Sequence, residues 1–418
     1  MIGWVSAFSL ALALAHPFSP RPEADLEHLV AEALARAPVL QAARARVAAR
    51  GELEAPATAL PDPMVESVVR NVGFSPTLGD DEDAMLGIEA RQVLPYPGKR
   101  AAARSVAVAE TAEAAAAVAE LERSVAAEVA TLYGRLYALD REAETLVAAR
   151  ELVDLLEQVA LGRYATGEGD QEGVLKIQIQ AQRVSERLGD LENERHATVA
   201  ALNRWLDRPG DAPLAPVETL PAVAAVGPDA ELLALSGSTE VARAGATVRL
   251  AQRRVEQARL GLKPDFSAGA GFASRGGFDP ILEVSFGVEW PLWRRQKQLP
   301  HLHAAELELE AARRQQADAE AMVRAEAAHW RSAWTNADRQ AERYREGILP
   351  QTSAAVDAAR ASYLVGRGDF STVIEDFNLW LEARVALARR EAERFTARAQ
   401  FDRLAGPGPI APSREEFP

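Results

Sequence analysis

Tyr164-Ala165-Thr166-Gly167-Glu168-Gly169-Asp170 returns further along the chain as Tyr363-Leu364-Val365-Gly366-Arg367-Gly368-Asp369, an offset of 199 residues. Two further landmarks recur with this Y-x-x-G-x-G-D pattern. Leu60-Pro61-Asp62-Pro63 is echoed by Lys263-Pro264-Asp265-Phe266, and Leu94-Pro95-Tyr96-Pro97 by Trp290-Pro291-Leu292-Trp293, at offsets of 203 and 196. Three landmarks in one order and at nearly one spacing mark an internal duplication. Prolines 209, 213, 216, 221 and 228 give 207–228 the composition of a linker. It separates a first repeat over 16–206 from a second over 229–406.

The glycines supply positive-φ positions that end a helix, so each Y-x-x-G-x-G-D reads as the turn of a helical hairpin. Between Lys99 and Tyr164 there is no proline, and glycine occurs only at Gly134 and Gly162. A helix of ~65 residues spans ~100 Å, so the molecule is expected to be elongated. Leu121, Val125, Val129, Leu132, Leu136, Leu139, Ala143 and Leu146 step by threes and fours, as do Val174, Ile177, Ala181, Val184, Leu188 and Leu191. Such heptad-like seams bury a narrow stripe against neighbouring helices. Taken alone they also fit a two-stranded coiled coil.

Between the proline landmarks the period changes to two. Leu282, Val284, Phe286, Val288 and Trp290 alternate with Ile281, Glu283, Ser285, Gly287 and Glu289; Phe266, Ala268, Ala270 and Phe272 alternate with Ser267, Gly269, Gly271 and Ala273. Ala84 to Arg91 does the same. Met64 to Phe74 is the poorest of the four, with Glu66 and Arg70 on the face of Val68 and Val72. Each segment approaches the ~9–11 residues of a tilted transmembrane strand, with one apolar and one polar or small face. Four strands cannot close, and an open edge is not tolerated in lipid. Strands that span a bilayer here therefore require several chains, and three would supply ~12. A small soluble sheet packed on the helices is the alternative.

Composition removes other classes. No run approaches the ~20 apolar residues of a membrane-spanning helix. Val5–Ala15, ending Ala13-Leu14-Ala15, has the length of a secretory signal over 1–15, without a basic residue before it. Residues 407–418 read as a disordered tail. Cysteine is absent, so the sequence offers no disulfide, no thiolate metal site and no lipoprotein acylation point. A net charge of −14 opposes a nucleic-acid partner. No phosphate loop, nucleophile elbow or zinc-binding helix motif is present, which points away from an enzyme and from any cofactor. His301 and His303, two apart, point to different faces of a helix and make a poor metal site.

The chain resembles the TolC family of outer-membrane efflux proteins over nearly its whole length. The resemblance rests on Ala33-Leu34-Ala35-Arg36-Ala37-Pro38-Val39-Leu40, Pro61-Asp62-Pro63, Gln92-Val93-Leu94-Pro95-Tyr96-Pro97-Gly98-Lys99-Arg100, the two YxxG turns and Ala201-Leu202-Asn203-Arg204. The PYPGKR form is most similar to the CzcC- and CusC-like heavy-metal efflux branch, although the lipidated cysteine common there is missing. The resemblance implies a mainly α fold with a β-barrel part: a homotrimer with a long α-helical barrel and four strands per chain in one transmembrane barrel of ~12 strands. It implies an exit duct in the outer membrane of a Gram-negative bacterium, extending into the periplasm, with a periplasmic adaptor and an inner-membrane pump of RND type as partners. Such a duct conducts passively, and its cargo here would include heavy-metal cations. A type I protein secretion duct and a non-pore periplasmic coiled-coil scaffold are the alternatives.

By the same resemblance the turn residues Tyr164, Gly167, Gly169, Asp170, Tyr363, Gly366, Gly368 and Asp369 lie at the tunnel tip, where an adaptor docks. Glu375 and Asp376 fall near the family's pore-lining acidic residues, while Thr372 stands where another acidic residue is common. Pro95, Pro97, Gly98, Pro291 and Trp293 mark the corners between barrel and helices. Trp290 and Trp293, followed by Arg294 and Arg295, fit either an interfacial aromatic belt or aromatic packing at the corner.

Overall fold

The structure, a computed structural model, describes residues 25–406. The expected signal segment 1–15 and the tail 407–418 lie outside the described residues. Each repeat is built in the same order. The first has α1 (Leu26–Arg36), α2 (Pro38–Gly51), β1 (Met64–Arg70), β2 (Met85–Leu94), α3 (Lys99–Ala165) and α4 (Gln171–Trp205). The second has α5 (Ala230–Gly237), α6 (Thr239–Leu260), β3 (Asp265–Arg275), β4 (Phe278–Glu289), α7 (Gln298–Arg343), α8 (Leu349–Leu364) and α9 (Phe370–Ala405).

Helix α3 runs unbroken for 67 residues, or ~100 Å. Its apolar seam is where periodicity places it: Val125, Val129, Leu132, Leu136, Leu139 and Leu146 are buried, and so are Val174, Ile177, Ala181, Val184 and Leu191 on α4. Gly134 sits where α3 meets α9, and a Cβ there would stand 3.1 Å from Phe395 Cδ1 and from Thr396 Oγ1. The second repeat differs. Between α7 and α8 the helix passes through a π-turn, Tyr344–Ile348, in which the Leu349 N–H reaches back to Tyr344 O. Pro350 explains it, because a residue without an N–H cannot donate to the carbonyl four residues before it.

The 207–228 segment has no helix or strand, yet it is strapped along the helices. Leu214, Val217 and Val226 are buried. Asp140 Oδ2 accepts from Val217 N at 2.8 Å, the Arg195 guanidinium donates to Leu214 O at 3.1 Å, and Arg398 donates to Ala224 O at 2.8 Å. A buried strap needs its backbone groups satisfied, and these side chains do it.

The four strands form one antiparallel sheet in the order β1-β2-β3-β4. The two hairpins, one from each repeat, join along β2 and β3, with Ala90 opposite Ala270 and Ile88 opposite Phe272. Strands β1 and β4 are edges without a further partner among the described residues. Strand β1 stops at Arg70, short of the segment expected from sequence. The cause is Asn71, whose side chain folds the next residues into a loop by donating to Gly73 O at 3.1 Å and Ser75 O at 2.7 Å, and accepting from Thr77 N at 2.8 Å. No described helix is long and apolar enough to cross a membrane.

Candidate functional site

Two regions carry the candidate residues: the paired hairpin tips and the strand wall with its corners. At the tips the two turns are near copies. Gly167 has φ +77° and Gly366 φ +74°, a conformation that only glycine adopts without strain. In the first turn Glu168 N and Gly169 N both donate to Arg163 O, at 2.9 and 3.0 Å; in the second, Arg367 N and Gly368 N donate to Ser362 O, at 3.0 and 3.1 Å. The second glycine of each motif has another cause. A Cβ at Gly169 would lie 3.2 Å from Tyr164 N, and one at Gly368 3.1 Å from Tyr363 N, so the chain must pass close to the helix it has just left.

The motif's other members are not equivalent. Asp170 caps α4 by accepting from Gly173 N at 2.8 Å, whereas Asp369 makes no side-chain cap on α9. Asp170→Ala is therefore expected to cost about 1 kcal/mol, and Asp369→Ala close to nothing. Thermal unfolding of the two purified variants checks this, and equal losses would contradict it.

Tyr363 is 6% exposed, with its ring 5.2 Å from that of Phe370. Tyr164 is 50% exposed and is free to meet a partner. Burial pushes the Tyr363 phenol up from its ordinary range, and the Arg163 charge beside it pulls the other way. Arg163 is the residue that sequence reasoning missed. Its guanidinium lies 4.9 Å from the Tyr363 ring centroid and donates to Tyr363 O at 3.1 Å and Glu168 O at 3.3 Å. It thereby fastens the second tip to the first. The copy of Arg163 in the second repeat is Ser362, so the only sequence signal was that break in the repeat.

Further bonds cross between the tips. Lys176 Nζ meets Ser371 Oγ at 2.9 Å, and Gln180 Nε2 donates to Asn378 Oδ1 at 3.0 Å. Its pairing with Glu172, aided by the charges of Asp369 and Asp170, holds the Lys176 ammonium above its usual pKa. Beneath lies one apolar core shared by both hairpins, including Leu156, Ile177, Val373 and Phe377. Glu375 is exposed and Asp376 half-buried on the early turns of α9, and neither has an ion-pair partner within the described residues.

Strand register sorts the wall into two faces. Val65, Val69, Leu86, Ile88, Phe266, Phe272, Leu282, Val284, Phe286 and Val288 share one face. These side chains are exposed in the single chain, Leu282 to 77% and Phe286 to 84%. Burying such a patch is worth far more than leaving it in water. The opposite face carries Glu66, Glu89, Arg91, Ser267, Glu283, Ser285 and Glu289, with glycines 87, 269, 271 and 287 between them. A Cβ at Gly269 would stand 2.5 Å from Ser285 Oγ, and one at Gly287 2.5 Å from Ser267 Oγ. Each of these glycines stands directly opposite the serine concerned and leaves room for its hydroxyl. One transverse row of this face reads Glu66, Glu89, Gly271, Glu283 across the four strands. Arg91 sits one level on and donates to Glu89 at 2.9 Å.

Both corners lie at the end of the sheet where the helices leave. In the first, Gly98 with φ +99° turns the chain after Pro95 and Pro97 into α3. Asp265 at the start of β3 holds it, accepting from Tyr96 N at 2.7 Å and Lys99 Nζ at 2.8 Å. In the second, Pro291 is half-buried while Leu292 and Trp293 are exposed. His301 and His303 fall on the first turns of α7, and no group of three or more His, Asp or Glu arranged to hold a metal occurs among the described residues.

No family model matches the sequence, and no curated protein matches it. Solved structures do. The chain is similar to the outer membrane protein VceC of Vibrio cholerae, with a TM-score of 0.78 and 19% identity over 92% of this chain and 96% of that one. It is also similar to the CmeC outer membrane channel of Campylobacter jejuni, with 0.74 and 13% over 91% and 85%. The open state of the MtrE outer membrane channel of Neisseria gonorrhoeae matches with 0.64 and 17% over 90% and 88%. At these identities the likeness is one of architecture. The chain has the TolC-like fold, with long helices and paired strand hairpins.

Proposed function

We propose that the chain is one subunit of a trimeric exit duct in the outer membrane of a Gram-negative bacterium. The observation that carries this reading is the sheet: four strands, two unpaired edges and one exposed apolar face. In water both features are liabilities. In a bilayer, with each β4 edge paired to the β1 edge of the next copy, both are resolved: the edges vanish and the apolar face meets lipid. The ~100 Å helices then carry the conduit away from the membrane across the periplasm.

On this reading the hairpin tips face the inner membrane and dock a periplasmic adaptor, with the exposed Tyr164 and the glycine turns as the contact. An inner-membrane pump of RND type would supply the energy, the duct itself being passive. Cations, heavy-metal ions among them, are the favoured cargo. The support is the lumenal row of Glu66, Glu89 and Glu283, together with Glu375 and Asp376, each of which a trimer multiplies into a ring of carboxylates that favours cations over anions.

The testing experiment is fractionation followed by conductance. A heat-resistant trimer in the outer membrane, giving cation-preferring currents in planar bilayers, is the expected result; a soluble periplasmic monomer would end the proposal. Within it, Glu375→Ala and Asp376→Ala are each expected to lower cation preference. Currents unchanged in both would remove those two residues from the constriction.

A further inference from the structure

The two corners are copies by sequence position but differ in how their charges are used. At the first, Lys99 is paired with Asp265 at 2.8 Å, and the Arg100 Nε is tied back to the chain by donating to the Thr58 carbonyl at 2.6 Å. At the second, Leu292 to Lys297 is a continuous exposed stretch. Its cations Arg294, Arg295 and Lys297 have no carboxylate partner among the described residues. Arg294 lies 5.7 Å from the Trp290 ring centroid, so its charge is oriented beside an indole and left uncompensated. The nearest carboxylate in sequence, Glu289, lies on the polar face of β4, and Trp290, directly after the strand, is 56% exposed. Trp293 is 70% exposed.

Exposed indoles at the rim of an apolar wall, with unpaired cations directly beyond them, match the layered chemistry of a bilayer surface. Acyl chain meets the strands, the interface meets Trp290 and Trp293, and the headgroup layer meets the cations. We infer that the Trp290–Lys297 corner is a binding site for the headgroup of an anionic phospholipid, in the leaflet on the side where the helices leave the sheet. The proposal rests on the membrane-spanning reading above. Three uncompensated cations per chain set the selectivity, because a zwitterionic headgroup offers them no net charge. The first corner, with Lys99 neutralised by Asp265 and Arg100 held against Thr58 O, contributes less.

The test uses the full chain reconstituted into vesicles, with flotation on a density gradient as the measure of insertion. Quenching of tryptophan fluorescence by dibrominated phosphatidylglycerol is then compared with quenching by dibrominated phosphatidylcholine. The expected result is insertion into both, with an apparent preference for the anionic lipid of about tenfold, falling as salt is raised. The triple substitution Arg294→Gln, Arg295→Gln and Lys297→Gln is expected to erase the preference. Arg183→Gln, midway along α4, is expected to keep it, as is the charge-conserving pair Arg294→Lys and Arg295→Lys. Wild type that floats yet quenches equally with both lipids would overturn the lipid site and leave the duct reading standing. Wild type that floats with tryptophans shielded from both would instead place the corner in a contact between copies, and also overturn the site. Wild type that does not float would overturn the duct reading and the site with it.

Discussion

In the proposed trimeric duct, Val284→Arg is expected to remove the heat-resistant trimer from the outer membrane, while Glu283→Arg, one residue away, leaves assembly intact and lowers cation preference. Val284 stands near the middle of β4, in a row with Val65, Ala90 and Ala270 on the apolar face. An arginine on the lipid side at mid-bilayer costs about 2–4 kcal/mol. Three copies in the proposed barrel make that roughly 6–12 kcal/mol, comparable with the whole stability of an ordinary domain. Glu283 points to the opposite side, in the polar row with Glu66 and Glu89; it is itself exposed, so a charge there meets water. Outer-membrane fractionation, with and without boiling, reads the first effect; reversal potential in a planar bilayer reads the second. Equal assembly of both variants would show that the two faces do not divide lipid from lumen.

The second large effect belongs to Glu142. Its carboxylate, 5% exposed on α3, accepts from Arg187 of α4 at 2.8 Å and from Arg389 of α9 at 2.9 Å. It clasps three helices that the apolar seams alone would leave free to slide. Exposed ion pairs contribute about 0–1 kcal/mol, but removing one partner of a buried pair costs about 3–5 kcal/mol because a charge is stranded. Both arginines reach solvent in part, so Glu142→Ala should fall between, at about 2–3 kcal/mol per chain. Thermal unfolding of the purified protein checks it. A melting temperature unchanged from wild type would mean that the arginines re-pair at no cost. A neighbouring cluster works the same way: Glu391 accepts from Tyr137 Oη at 2.7 Å and from Arg345 of the π-turn at 2.5 Å. Burial, with that acceptor beside it, holds the Tyr137 phenol far above its ordinary range, so it remains a donor.

What was legible in the sequence was whatever depends on neighbours a few residues away. Gly167 and Gly366 were readable as helix ends because a positive φ is a local demand, and the structure gives them φ +77° and +74°. The seams of α3 and α4 followed from a period of 3.6, and the two faces of β4 from a period of two. The duplication made each reading checkable against its copy. Where the copies diverge, legibility failed: Tyr164 and Tyr363 are one residue type at one motif position, yet one is exposed and the other is core. Nothing near Tyr363 in sequence announces that Arg163, 200 residues earlier, lies over its ring.

Only the tertiary structure decided levels and meetings. Alternation assigns Glu66, Glu89 and Glu283 to a face, but not to a height along it. Their alignment in one row is set by the pairing of β2 with β3, strands from different repeats. Strand register between distant segments is a property of the assembled sheet and leaves no period in the chain. The same holds for Glu142, whose two arginines come from helices far apart in sequence, and for the 207–228 strap, whose prolines read as a loose linker while its carbonyls are bound by Arg195 and Arg398. The sequence by itself determined the repeat, the long helices, the turns and a wall with two faces, because short-range sterics and periodic burial dictate them. The sheet's register, the joined tips and the inequality of the two corners came from long-range packing, where the partner's position and not the residue's own type settles the outcome.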